Sequence, residues 1–210
     1  MSRRFTKPTL SAMRHLNGNL LVAVDTETTG FVPGHHDIWQ IAVLPLDSKI
    51  KPYKGIMPFY VDMQVKRPEN IEKEAVKLSK GEFAKRQQRA LDPWTAADMF
   101  DEWFENLGLP MYKKLVPLAQ NWPFDREFIT DWLGRETFFQ LFHPHYRDTM
   151  TAALFYNDCC DFKNERITVP KVNLSYLCTV FEVKNLKAHD ALQDCITTAE
   201  IYRRLILRAV

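Results

Sequence analysis

Glycine is scarce in this 210-residue chain, at 7 residues, and no stretch is rich in glycine and serine. Collagen-like repeats, low complexity and flexible internal linkers are therefore excluded. Long apolar runs are missing as well. None approaches the roughly 18 residues that span a bilayer. Leu20 to Val24, downstream of basic Arg3, Arg4 and Lys7, is far too short for a signal-peptide core. Secretion and membrane insertion are not expected. Cysteine is rare, with Cys159, Cys160, Cys178 and Cys195 the only four, too few for a disulfide framework in a chain of this length. No CxxC pair joins Cys159 and Cys160 to His143 and His145, so a zinc site is disfavoured. Buried free thiols in a reducing cytoplasm are the better reading. An excess of charge of one sign is also lacking: 28 basic and 26 acidic residues leave +2, which by itself gives little reason to expect a polyanionic partner.

What is present is ordinary globular material, 46% hydrophobic and 26% charged. Residues 1–18 have no clear period and are expected to form an arm or a short helix, with a single domain over 19–210. The continuous apolar run Leu20–Val24 predicts a strand buried on both faces. Ile38 to Leu46 and Ile56 to Val61 predict two more strands. Leu115 to Ala119 predicts another buried one, followed by a helix over 124–133. Pro93-Trp94 opens a helix with Ala97, Phe100, Phe104 and Leu107 at helical spacing. Helices are also expected from Thr149 through Tyr156, over 174–181 and over 190–208. In the last of these, Leu192, Cys195, Ile196, Ala199, Tyr202 and Leu205 form the apolar stripe. Strands early and helices late, with a strand–helix alternation between, predict an α/β domain: a mixed central sheet flanked by helices. Segment 66–91 stands apart, with Lys66, Arg67, Lys73, Lys77, Lys80, Lys85, Arg86 and Arg89 against four acidic residues.

Three polar motifs interrupt this apolar frame. In the first, the predicted strand runs into Asp25-Thr26-Glu27-Thr28-Thr29-Gly30. Residues two apart in a strand share a face, so Asp25 and Glu27 are presented together at a carboxyl end, where open α/β sheets place ligands. Adjacent carboxylates repel unless a cation neutralises them, and hard oxygen donors suit Mg²⁺ or Mn²⁺. The second motif, Gln120-Asn121-Trp122-Pro123-Phe124-Asp125, places Asp125 in the first turn of a helix with Asn121 as its N-cap. An acidic residue there also complements the helix dipole with no further role. The third, His189-Asp190-Ala191-Leu192-Gln193-Asp194, opens the last helix, with Asp190 at a cap position, Asp194 off the apolar stripe and His189 free to face a cleft. Each motif alone is more readily a solvated turn or a capped helix.

Taken in order, D-x-E, then N-x₃-F-D, then H-x₄-D, the motifs resemble those of the DEDDh 3′→5′ exonuclease family, which includes ribonuclease T, oligoribonuclease and the proofreading epsilon subunit of bacterial DNA polymerase III. The likeness covers residues 20–208, and VAVDTETTG is a form the family commonly shows. It implies a ribonuclease H-like fold and a metal-dependent hydrolase that releases nucleoside 5′-monophosphates from a single-stranded 3′ end. It also implies that Asp25, Glu27, Asp125 and Asp194 hold two ions, Mg²⁺ or Mn²⁺, and that His189 is the general base. Position 190 is Asp rather than the Tyr of the sister branch. Thr28 and Thr29 match the segment whose backbone approaches the terminal nucleotide, and Gly30 would ease the turn there.

The chain departs from the family at Gln40, where many members have Glu, at Gln120, and across Val76 to Gly81, whose substrate contacts are not carried over. A groove for a single strand needs cations and stacking faces. The basic segment and Phe31, Trp39, Trp122 and Phe124 are the candidates, with core packing the competing role for the aromatics. The resemblance leans to DNA over RNA, with an exoribonuclease or a catalytically silent binding module as alternatives. It lends the chain a homodimer or an association with a polymerase as further expectations. Four carboxylates assigned to cations also mean that the near-neutral charge sum no longer argues against nucleic acid.

Overall fold

The computed structural model describes residues 14–15, 18–79, 81–166 and 169–209. Most of the arm expected over 1–18 lies outside them. Its described part, β1 (Arg14–His15), pairs antiparallel with the start of β2 (Asn19–Thr28), with Arg14 opposite Leu20, so this part is a strand rather than a helix. In β2, Leu20 to Val24 are each 1% exposed or less, as an unbroken apolar run demands. β3 (Ile38–Pro45) is buried throughout and returns antiparallel to β2, with Val24 opposite Val43. β4 (Phe59–Asp62) starts later than the sequence pattern suggests, directly after Pro58, which has no amide hydrogen to give a ladder.

The basic segment forms one 3₁₀ turn at Pro68–Asn70 and two short helices, α1 (Lys73–Lys77) and α2 (Glu82–Gln87), none of which buries a residue fully. α3 (Pro93–Asn106) begins where expected, capped by Asp92 on the Trp94 amide. β5 (Leu115–Ala119) lies parallel to β2. α4 (Trp122–Leu133) follows. It ends at Gly134, whose φ of 79° turns the chain into α5 (Arg135–Leu141), a helix the sequence reading does not contain. β6 (Arg147–Asp148) pairs parallel with β5 and leads into α6 (Thr149–Phe162), then α7 (Leu174–Val180) and α8 (Ala191–Ala209). The sheet order is β4-β3-β2-β5-β6 with β1 attached to β2, and parallel and antiparallel pairs mix as expected.

β2 divides the core in two. Its even-numbered Leu20, Val22 and Val24 pack against Phe100 of α3, Trp122, Phe128 and Ile129 of α4, and Phe138 of α5. Its odd-numbered Leu21 and Ala23 pack against Ala191, Cys195 and Ala199 of α8, small residues that let this helix lie close to the sheet. A third cluster joins α6, α7 and the far half of α8 through Ala153, Leu177, Phe181, Ile201 and Leu205. Ile196, expected on the buried stripe, is instead partly exposed, while Ile201 is buried. All four cysteines are free, with Cys160 and Cys195 buried.

Asn121 does not cap α4 with its side chain. It adopts a left-handed backbone, φ 67°, and the first helical amide, that of Trp122, donates instead to Asp148 Oδ2 at 2.6 Å. The other oxygen of Asp148 caps α6, accepting from the Met150 amide at 2.7 Å and the Thr151 amide at 3.2 Å. One buried carboxylate thus starts two helices.

Candidate active site

The alternation of β2 continues past its apolar part and sorts the first motif. Asp25 and Glu27 follow Leu21 and Ala23 onto the α8 face, whereas Thr26 follows Val22 and Val24 onto the α4 face. Each face then meets its own acidic residue. On the α4 side the Thr26 amide and hydroxyl both donate to Asp125 Oδ1, at 2.9 and 2.7 Å. On the α8 side Asp194 accepts from Asn185 Nδ2 at 2.6 Å and from the His189 amide at 3.0 Å, one bond on each oxygen. Donor atoms of Glu27, His189 and Asp194 lie within 4.8 Å of one another, and no other metal-competent group of three occurs among the described residues. The Cys159–Cys160 and His143–His145 region holds none.

His189 is held in the left-handed region, φ 66°, uncommon for a residue with a side chain. Two carboxylates brace it: Asp194 takes its amide, and Asp190 caps α8 through the Gln193 amide at 3.3 Å. The capping role expected of Asp190 is present.

The electrostatics of the cluster would favour a cation. Burial, and then repulsion from Asp125, Asp194 and Glu27, push the Asp25 carboxyl well above the ordinary range. Burial, and then repulsion from Asp194 and Asp125, raise Glu27 to about 8. Asp125 is raised to about 7 by burial, which the Thr26 hydrogen bonds only partly offset. Asp194 is also raised, burial outweighing its hydrogen bonds. Without a counter-charge Glu27 and Asp125 would hold protons near neutral pH. Oxygen donors of this hardness and number fit divalent cations such as Mg²⁺ or Mn²⁺.

The remaining sequence candidates divide. Thr29 is fully buried, and its groups are engaged: its amide donates to the Asp37 carbonyl, its carbonyl accepts from Glu72 and its hydroxyl accepts from the Asp37 amide at 2.9 Å. Thr28 is half-buried, with its hydroxyl on the Gly30 carbonyl at 2.7 Å. Gly30 is required not for φ but for space, since a Cβ there would lie 2.3 Å from the His36 ring. Trp39 and Trp122 are core residues, while Phe31 is 65% exposed beside Phe124, with ring centroids 6.4 Å apart. In the basic segment, Arg67 pairs with Asp37 and Asp131, Arg86 with Asp62 and Asp190, and Lys66 lies over the Trp94 ring at 4.6 Å. Lys80 lies outside the described residues.

The family model described as exonuclease matches residues 22–202. This chain belongs to the exonuclease family. Its ribonuclease H-like fold and its acidic motifs are those of the DEDDh type. Among solved structures, cell-death related nuclease 4 is 18% identical, with a TM-score of 0.66 over 90% of this chain and 64% of its own. The zinc-bound complex of E. coli exonuclease I with single-stranded DNA is 18% identical, with a TM-score of 0.70 over 90% of this chain and 40% of its own. A 3′-exonuclease that recognises the histone mRNA stem-loop is 14% identical, with a TM-score of 0.63 over 90% and 63%. At these identities the likeness is one of fold. This exonuclease domain spans less than two thirds of those chains. No curated protein gives a significant sequence match.

Sequence reasoning missed the residues that hold the exonuclease motifs in place. Thr26 was legible in principle, as the even-numbered residue between two odd-numbered acids. Asp148 was legible as an acidic residue directly before a helix. Asn185, Tyr60, Asp62 and the buried use of Arg86 carry no local signal.

Proposed function

We propose that the protein is a divalent-metal-dependent 3′→5′ exonuclease acting on single-stranded nucleic acid, with DNA its preferred substrate over RNA. The observation that supports this reading is the closeness of Glu27, His189 and Asp194 at the end of β2, with Asp25 repelled by Asp125, Asp194 and Glu27 and with Asp125 anchored to Thr26, between Asp25 and Glu27 in sequence. Metal dependence is general in the family. When bound, two Mg²⁺ or Mn²⁺ ions would neutralise the four carboxylates and stabilise the charge that develops at phosphorus.

The side chains supply the rest. Both Thr26 bonds fall on Asp125 Oδ1, so the orientation of that carboxylate is set before any ligand arrives. Asn185 and the His189 amide do the same for Asp194. His189, beside Glu27 and Asp194, takes the proton of the attacking water as its oxygen bonds to phosphorus. The bond to the 3′-oxygen of the preceding nucleotide breaks, releasing a nucleoside 5′-monophosphate. Thr28, at the half-buried end of β2, is the residue best placed to border the terminal nucleotide, and Thr29 shapes that border from inside.

The DNA preference rests on the full D-T-E-T-T-G string. The test is degradation of 3′-labelled single-stranded DNA, duplex DNA and RNA in Mg²⁺ and in Mn²⁺, with a chelator control. Mononucleotide release from the 3′ end of single-stranded DNA, lost with chelator, is expected. Faster attack on RNA would reverse the substrate order, and no release from any of the three would refute the proposal.

A further inference from the structure

Behind the general-base loop lies a polar network that joins four elements. Gln40, fully buried in β3, accepts from the Ala191 amide at the start of α8 at 2.8 Å and donates from Nε2 to Asp62 Oδ1 at 2.6 Å. Tyr60 of β4 donates to Asp190 Oδ2 at 2.9 Å. Arg86 of α2 closes the circuit: Nη1 reaches the Tyr60 hydroxyl and Asp62 Oδ1, both at 2.9 Å, and Nη2 reaches Asp190 Oδ2 at 2.8 Å. Lys187 adds a bond to the same Asp190 oxygen at 3.0 Å.

We propose that Arg86 is a positioning residue for His189: by spanning Asp62 and Asp190 it locks the residue next to the general base to the sheet, and with it the left-handed turn that aims the imidazole at Glu27 and Asp194. The proposal rests on the exonuclease reading given above. Three features carry it. The Arg86 side chain is only 17% exposed and its fork is used at both ends, so it is not free to bind a phosphate. Only a planar fork bridges two carboxylates in this way; an ammonium is a point charge. The network is also balanced, with Arg86 and Lys187 against Asp62 and Asp190, so Gln40 can be buried beside Asp62 because it is neutral. A strained backbone at position 189 persists only where its surroundings over-determine it.

The test compares the full chain with Arg86→Met, Arg86→Lys and Asp62→Asn. Steady-state kinetics would be run on a 3′-labelled single-stranded oligonucleotide. Melting temperature with and without Mn²⁺, and the His189 imidazole resonances by NMR, would be recorded alongside. Misplacing a catalytic group by about an ångström costs on the order of a hundredfold. The Met variant is therefore expected to lose about ten- to a hundredfold in kcat, with KM nearly unchanged and the Mn²⁺-induced rise in melting temperature retained. The His189 resonances should move, and Lys should restore part of the rate. Asp62→Asn, which weakens the far anchor but keeps the guanidinium, should lower kcat in the same sense and serves if the Met variant fails to fold. Unchanged kcat with unmoved His189 resonances in either variant would overturn the proposal. So would a rise in KM at constant kcat, which would make Arg86 a substrate contact. Wild-type protein inactive on every substrate would refute the exonuclease reading instead, and the resonances would still decide whether Arg86 positions His189.

Discussion

Thr26 and Asp125, separated by 99 positions in sequence, are joined by two hydrogen bonds to a single carboxylate oxygen, from the amide at 2.9 Å and from the hydroxyl at 2.7 Å. The backbone N–H remains in any substitution other than proline, so the hydroxyl can be tested alone. Thr26→Val keeps the shape and removes that donor. It is expected to cost about 1.5–3 kcal/mol of stability, the range for a hydrogen bond to a charged group, and to lower kcat by roughly tenfold through a loosened carboxylate. Chemical denaturation and steady-state kinetics measure the two. Full activity in this variant would mean that the amide alone fixes Asp125.

Asp125 and His189 are expected to fail in different ways. Asp125→Asn should abolish nuclease activity while preserving the fold, as judged by circular dichroism. His189→Ala should lower the rate by about 10²–10⁴-fold, the contribution of a general base, yet still show the Mn²⁺-induced rise in melting temperature. Equal loss of rate and of metal response in the His189 variant would make the imidazole a ligand, a role its position beside Glu27 and Asp194 also allows.

The raised carboxyls set the sign of a pH response. In the folded, metal-free protein Glu27 holds its proton up to about 8 and Asp125 up to about 7, whereas both would be ionised above about pH 4.5 in the unfolded chain. The native state then binds more protons, so stability falls as pH rises from about 5 to 8. Mn²⁺ should reverse the trend, raising the melting temperature most at the upper end of that range. Scanning calorimetry across the range checks both slopes. A metal-free stability that climbs from pH 5 to 8 would contradict the buried acid cluster.

Gln40 offers a test of charge balance. Gln40→Glu would put a carboxylate where Nε2 now donates to Asp62 at 2.6 Å, making a third acid for two cations. A loss of about 1–3 kcal/mol is expected at neutral pH, the cost of leaving a buried acceptor unmatched. It should shrink as the pH is lowered, because the new carboxyl can donate once protonated. A variant as stable as the wild type at neutral pH would show that the network tolerates the extra charge.

Much of this was legible in the residues. The buried run Leu20–Val24 required a central strand, and a period of two then put Asp25 and Glu27 on one side. Spacing and element type placed Asp125 and Asp194 correctly on their helices. What was not legible has a common physical cause: it depends on which surfaces meet. Arg86 sits in a stretch that reads as a solvated basic face, yet its partners lie on β4 and just before α8. Asn121 reads as a cap, but a left-handed backbone removes its side chain from that duty and an aspartate from a neighbouring strand takes it over. The third strand and α5 were misjudged for local reasons, at Pro58 and Gly134.

Asp148 has a dynamic consequence. Its two oxygens hold the first turns of α4 and α6 together, so the amides of Trp122, Met150 and Thr151 share one carboxylate. The two helix starts are therefore expected to open as a single unit of local unfolding. Asp125 lies within that unit. Protection of these amides from hydrogen exchange should therefore rise and fall in step, and should reveal how often the acid cluster comes apart while the rest of the sheet stays closed.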